Sequence, residues 1–316
     1  MRRGRRWALP VAVGVLILAA VGAAVIASVG NAGRRHRRAA LATTQRPPHK
    51  PKPKSAIPDG ISFKGSPKVH IRLRPRAAGG LLVDLDTGHV LWSHAPFAVR
   101  PIASLTKVMT ALLVVEHLGK RANAKIGADA LHYTGSEVGV LPLGKKVPVT
   151  ALLYGLMLPS GNDAAVALAD RVAGSDQQFA TLMNKRAKQL GLRCSHFSSS
   201  YGLQNDNQSC PVDLAALSRV VMRKPRIEKI VAAVHVNLPF PIRGGRLDLW
   251  SHNPLIRLRY PGTIGLKTGF TDAAGRCFIG VARHGNRTLA AILLNSPDIG
   301  GQARQLLDAG FHALGV

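Results

Sequence analysis

Pro101-Ile102-Ala103-Ser104-Leu105-Thr106-Lys107-Val108-Met109-Thr110-Ala111-Leu112 is where this 316-residue chain changes character. Before it the pattern is strand-like. Leu81 to Leu85, the turn Asp86-Thr87-Gly88 and His89 to Trp92 read as a hairpin. After it, Val108, Leu112, Val115 and Leu118 fall at helical spacing. Helical patterns continue through 151–158, 164–172 and 177–190 to about Arg223. Short apolar runs then return at 262–268, 277–282 and 288–294, and 300–314 reads as a closing helix. Strands, then helices, then strands and a helix describe an α+β domain. Its first strands join one antiparallel sheet with its last ones, helices flank the sheet, and an all-helical lobe is inserted between.

Residues 78–316 are long enough for one large core, and residues 1–77 are of another kind. Arg2, Arg3, Arg5 and Arg6 precede an apolar run from Trp7 to Val29. The run exceeds a usual export-signal core and is long enough to span a bilayer, which favours a retained anchor in 1–33. Small residues at Gly30-Asn31-Ala32 leave cleavage open. Either way the main domain is expected on the extracytoplasmic face of the cell membrane, or secreted if the signal is removed. Residues 34–77 are rich in Lys, Arg and Pro and read as an extended, self-repelling tether. Contact of this basic linker with anionic lipid or acidic wall polymer is the sharper alternative. The chain carries 43 Lys and Arg against 16 Asp and Glu, a net charge of +27. Export and the lack of a nucleic-acid motif argue against a nucleic-acid partner.

Three short patterns carry chemistry. Ser104 and Lys107, three residues apart at a helix start, share one face. A serine hydroxyl becomes a nucleophile when a base takes its proton, and a lysine serves once burial and a neighbouring cation keep its amine neutral. Lys267 is the candidate second cation. Read alone, Ser-x-x-Lys is an N-cap serine and a solvated lysine. Ser160-Gly161-Asn162 follows Pro159 and offers a hydroxyl and an amide on one turn. Asp163 reads as the cap of the next helix. Lys267-Thr268-Gly269 ends a strand-like run. Lys267 and Thr268 suit a carboxylate, and Gly269 lets a linear substrate lie against the strand. The N–H groups of Ser104 and Phe270 are candidates for an oxyanion hole.

In this order the three motifs resemble the penicillin-binding-protein and serine β-lactamase superfamily, with Gly161 where the usual middle motif has aspartate. PIASLTKVMTAL from Pro101, LPSGNDAA from Leu158 and GLKTGFTDAAG from Gly265 are more similar to the D-alanyl-D-alanine carboxypeptidases (peptidase family S11), the low-molecular-mass penicillin-binding proteins. The resemblance covers 78–316. It implies a β-lactamase/transpeptidase-like fold and peptidoglycan stem peptides and β-lactams as partners. It implies Ser104 as the acylated nucleophile and Lys107 as its base. Ser160 and Asn162 would then serve proton transfer and placement, and Lys267 and Thr268 would hold the terminal D-alanine carboxylate.

Two segments depart from the family pattern. The loop from His196 to Leu203 lacks the Asn-Pro usual between its ends, and Asn295-Ser296-Pro297-Asp298 lacks an arginine that some relatives place near the carboxylate. No C-terminal β-domain is expected. A β-lactamase needs a glutamate to activate the deacylating water, and the only glutamate after Asn162 is Glu228, in an unrelated context. A non-catalytic β-lactam receptor or wall-binding module is the alternative outside enzymes. Transpeptidase or endopeptidase action also stays open. No cofactor is expected, and no His or Cys spacing suggests a metal. Cys194 and Cys210 bracket a polar loop and can pair or stay free, while Cys277 reads as a small core residue.

Overall fold

The computed structural model describes residues 57–65, 69–132 and 135–316. Among these, the strands are β1 (Gly79–Asp84), β2 (Val90–His94), β3 (Arg100–Pro101), β4 (Asn123–Lys125), β5 (Lys146–Pro148), β6 (Gln208–Ser209), β7 (His235–Pro239), β8 (Arg246–Trp250), β9 (Thr263–Thr271), β10 (Gly275–His284) and β11 (Arg287–Leu294). The helices are α1 (Lys107–His117), α2 (Val149–Met157), α3 (Asn162–Ala173), α4 (Asp176–Gln189), α5 (Pro211–Met222), α6 (Pro225–Val231), α7 (Pro254–Arg257) and α8 (Ile299–Ala313).

Five strands form one antiparallel sheet in the order β2-β1-β11-β10-β9. Its first two strands precede the helices in the chain and its last three follow them, as the sequence pattern requires. Strand residues alternate between two cores. Leu81, Val83, Ile279 and Ile292 face one that contains the buried residues of α1, α2, α3 and α5. Leu82, Phe278, Leu289 and Leu293 face the other, with Leu306, Leu307 and Phe311 of α8. Burial on both faces explains why β11 reads as a continuous apolar run rather than an alternating one. Among the described residues, the two-stranded pairs β3-β6, β4-β5 and β7-β8 lie outside this sheet.

The boundary drawn at residue 77 is corrected here. Residues 57–65 and 69–77 pack on the domain. Ile61, Leu73 and Ala77 are buried. The Val69 N–H donates to Leu91 O, and the Arg219 guanidinium donates to Gly60 O. The basic composition of this stretch hid the inward-facing Leu73 and Ala77. The run from Trp7 to Val29, read as signal or anchor, lies outside the described residues. Among the described residues, no helix is long and apolar enough to cross a membrane.

Cys194 and Cys210 form a disulfide, with Cα atoms 5.6 Å apart. Asp213 accepts from the Cys194 N–H at 2.7 Å and fastens the same loop. Cys277 is a free thiol in the core, and burial pushes it up to about 11.

Candidate active site

A tight 3-10 turn, Ala103–Thr106, leads into α1 and carries Ser104. Lys107 opens α1 one turn later and is fully buried. Its Nζ lies 2.9 Å from Ser104 Oγ, 2.7 Å from Asn162 Oδ1 and 2.8 Å from Tyr201 O. Burial holds this amine well below the ordinary lysine range, the Lys267 charge lowers it further, and Asp163 opposes both. A neutral amine has two N–H donors and one lone pair. The oxygens of Asn162 and Tyr201 carry no hydrogen, so they take the two N–H groups. The lone pair is left for the one neighbour able to donate, the Ser104 hydroxyl. The arrangement therefore leaves a neutral Lys107 able to accept a hydrogen bond from the Ser104 hydroxyl.

The middle motif sits between α2 and α3. Ser160 has a left-handed backbone (φ +73), an uncommon conformation for a non-glycine residue and one that functional sites often hold. The Gly161 N–H donates to Gly155 O and the Asn162 N–H to Ser136 O, both at 2.8 Å, which pins the turn. Ser160 Oγ is buried, lines the cleft and has no protein hydrogen-bond partner among the described residues. Glycine at 161 has a packing cause. A Cβ there would stand 2.6 Å from Asp163 Oδ1 and 2.9 Å from Val138 Cγ2.

Asp163 is not the helix cap expected from sequence. Gly161 occupies the cap position, and the Asp163 carboxylate turns to the preceding loop. There it accepts from the N–H groups of Val138 and Gly139, each at 2.9 Å in the shorter contact. It thus holds the segment whose Gly135 and Ser136 line the cleft.

The third motif lies on edge strand β9. Lys267 is buried, donates to Thr268 O at 3.0 Å, and is lowered by that burial to about 7. Thr268, Gly269 and the exposed Phe270 form part of the cleft wall. Gly269 makes room for the nucleophile's own backbone. A Cβ there would lie 3.0 Å from both Ile102 O and Ser104 N. Gly269 also lines the cleft, so this packing reason stands beside the one expected from sequence.

Ser104, Ser160, Asn162, Thr268, Gly269 and Phe270 thus surround one cavity of about 480 Å³. Lys107 lies behind its wall in contact with Ser104, and Lys267 lies close enough for its charge to act on Lys107. Sequence reasoning missed four further contributors. Tyr201 supplies a backbone carbonyl, which no side-chain motif encodes. It comes from the loop that departs from the family pattern. His252, Arg257 of α7 and Arg276 of β10 also line the cavity. Arg276 stands opposite Phe270 in the β9-β10 register and donates to Pro297 O at 3.1 Å. Segment 295–298 thus lacks an arginine of its own but is met by one from the adjacent strand. No Asp or Glu lines the cavity. Among the described residues, one group of three potential metal ligands occurs, Cys194, Cys210 and Asp213, and both of its sulfurs are in the disulfide.

A five-stranded antiparallel sheet, a helical lobe and a serine hydrogen-bonded to a buried lysine of lowered pKa are the features of a serine hydrolase. Residues 68–298 match the D-alanyl-D-alanine carboxypeptidase family, peptidase S11, and the chain belongs to that family. It is 35% identical to D-alanyl-D-alanine carboxypeptidase DacB2 of Mycobacterium tuberculosis, over 73% of this chain and 81% of that protein. It is 31% identical to DacF of Bacillus subtilis, over 76% of this chain but 63% of that longer protein. Among solved structures, the Streptomyces K15 DD-transpeptidase superposes with a TM-score of 0.70 at 31% identity, covering 78% of this chain and 99% of that one.

Proposed function

We propose that this protein is a serine-type, penicillin-sensitive D-Ala-D-Ala carboxypeptidase that trims peptidoglycan stem peptides outside the cytoplasm. The observation that carries the reading is the environment of the Lys107 amine. Two hydrogen-free acceptors fix its N–H groups and leave its lone pair to the Ser104 hydroxyl. Ser104 Oγ attacks the carbonyl between the two D-alanines while Lys107 takes its proton. The N–H groups of Ser104 and Phe270 receive the developing oxyanion. The proton passes through Lys107, with Ser160 Oγ beside it, to the departing amine. The last D-alanine leaves, and water then releases the shortened peptide from Ser104.

Thr268 hydrogen-bonds the substrate's terminal carboxylate, and Lys267, from behind the wall, supplies charge. Arg276 and Arg257 add cations at the rim. The cleft holds no carboxylate to activate water quickly, and Glu228 is engaged with Arg283 at 2.8 Å. This favours a long-lived penicilloyl enzyme over a β-lactamase. The apolar run from Trp7 serves as a membrane anchor and the basic stretch after it as a tether, which places the domain at the outer face of the membrane.

Release of D-alanine from a pentapeptide ending in D-Ala-D-Ala tests the activity. Peptide mapping after penicillin treatment tests the nucleophile. Adduct on Ser104, with both signals abolished in Ser104→Ala, is expected. Adduct on another residue, or D-alanine release surviving in Ser104→Ala, would overturn the assignment. Penicillin labelling of Ser104 without D-alanine release would favour a β-lactam receptor.

A further inference from the structure

The second half of the basic stretch forms a surface that the acyl-transfer site does not use. Residues 69–77 run beside β2, fixed by the Val69 N–H on Leu91 O at 2.9 Å and the Trp92 Nε1–H on Ile71 O at 3.0 Å. Leu73 and Ala77 are buried, while His70, Arg72, Arg74 and Arg76 stand exposed at alternate positions. Between this segment and β2 lies a cavity of about 160 Å³. Arg72, Arg76 and His94 line it together with Ile71, Leu73 and Trp92. No carboxylate lines this cavity, and it shares no residue with the catalytic cleft. Among the described ion pairs, none involves Arg72, Arg76 or His94.

We propose that this cavity binds the phosphate of an anionic phospholipid headgroup. Two arginines line one recess, and a guanidinium can bind a phosphate through two parallel hydrogen bonds, as a lysine-type point charge cannot. The remaining wall is apolar apart from Ser93 and includes Trp92, a residue type favoured where headgroup meets hydrocarbon. A polyol-phosphate wall polymer offers nothing to that apolar wall. The upstream residues 34–54, dense in Lys and Arg, are drawn to the same anionic surface. The consequence is a second, charge-based contact that fixes the domain's orientation on the bilayer, independent of its activity.

The test uses the full chain in neutral detergent with a diazirine analogue of dihexanoyl phosphatidylglycerol. Labelled peptides should contain 69–77 or 90–94, and unlabelled dihexanoyl phosphatidylglycerol should displace the probe where the phosphatidylcholine does not. Arg72→Gln/Arg76→Gln should weaken the apparent affinity about 30-fold, from the contribution of each arginine near an anionic headgroup. Arg72→Lys/Arg76→Lys should lose less. Penicillin acylation of Ser104 reports that each variant is folded, and His94→Gln replaces the double variant should it fail that check. Label elsewhere, equal competition by phosphatidylcholine, or unchanged affinity in the folded variants would overturn the proposal. Poly(glycerol phosphate) competing as well as the lipid, phosphate for phosphate, would assign the cavity to a wall polymer instead.

Discussion

Replacing Gly269 by alanine tests how the nucleophile and the oxyanion donors are held together. The added methyl would sit 3.0 Å from Ile102 O, 3.0 Å from Ser104 N and 3.2 Å from Leu105 N. These contacts are tighter than a methyl group ordinarily makes, so a few tenths of an ångström must be found. Every obstructing atom is backbone. On one side is the 3-10 turn that carries Ser104. On the other is β9, laddered to β10 through the pair Gly269 and Cys277. Neither can rotate away as a side chain would. Overpacking of this kind costs about 1–3 kcal/mol. At about 2–4 °C per kcal/mol for a domain of this size, the melting temperature should fall by roughly 4–8 °C for the middle of that range.

A catalytic loss should accompany the stability loss. The methyl pushes apart the strand that carries the Phe270 N–H and the turn that carries the Ser104 N–H and Oγ. A 1 Å misplacement can cost about 100-fold, so a shift of a few tenths predicts acylation about 4-fold slower, approaching 100-fold if one oxyanion contact is lost. Rapid-quench acylation by a fluorescent penicillin gives the rate, and calorimetry of the same sample gives the melting temperature. Gly119→Ala, where nothing lies within 4 Å, is the control and should change neither. Wild-type acylation and melting in Gly269→Ala would show that the close approach of β9 to the serine turn is not what aligns the site.

Three more outcomes follow from the site and its supports. Acylation by a carboxylate-bearing β-lactam should fall as pH rises through about 7, because Lys267 loses its charge there, whereas an esterified β-lactam should show no such fall; identical profiles would remove Lys267 from carboxylate recognition. Asp163→Ala takes a charged acceptor from the Val138 and Gly139 N–H groups, at about 1.5–3 kcal/mol for each such bond, so calorimetry should show a lower melting temperature and pentapeptide titration a raised KM. Cys194→Ala/Cys210→Ala opens a crosslink spanning 16 residues, worth about 3 kcal/mol, and should lower the melting temperature by roughly 6–12 °C with the penicilloyl adduct still on Ser104.

The sequence made the architecture readable because each element type carried its own period. The hairpin, the helix after Ser104 and the three late strands stand close to where periodicity put them. The three motifs were readable because the residues proposed as nucleophile, base and carboxylate partner are side chains with distinctive chemistry. What escaped reading lacks such a letter. The Tyr201 contact to Lys107 is a backbone carbonyl. Arg276 reaches segment 295–298 through strand pairing, across about twenty positions of sequence. Asp163 has the composition of a cap, but the helix starts one residue before it, so its carboxylate serves a loop 24 positions upstream instead. In 69–77, charge masked the alternation of Ile71 and Leu73 with Arg72 and Arg74.

The charge balance of the cleft ties these parts together. Lys107, Lys267, Arg257, Arg276 and His252 converge with no carboxylate on the cavity wall. His252 is lowered by burial first and then by Lys267 and Arg257, so it too yields its proton to this field. For Lys267 the unfolded chain keeps its proton up to about 10.5, whereas the fold gives it up near 7. Between those values the unfolded state binds more protons, so this residue's cost to stability is largest at neutral pH and below, and fades as pH rises. Burial and the Lys267 charge together lower the Lys107 amine against the opposing charge of Asp163. On the proposed function, a substrate carboxylate beside Thr268 would favour the charged form of Lys267, so the anion that marks the peptide's terminus would charge the residue proposed to recognise it.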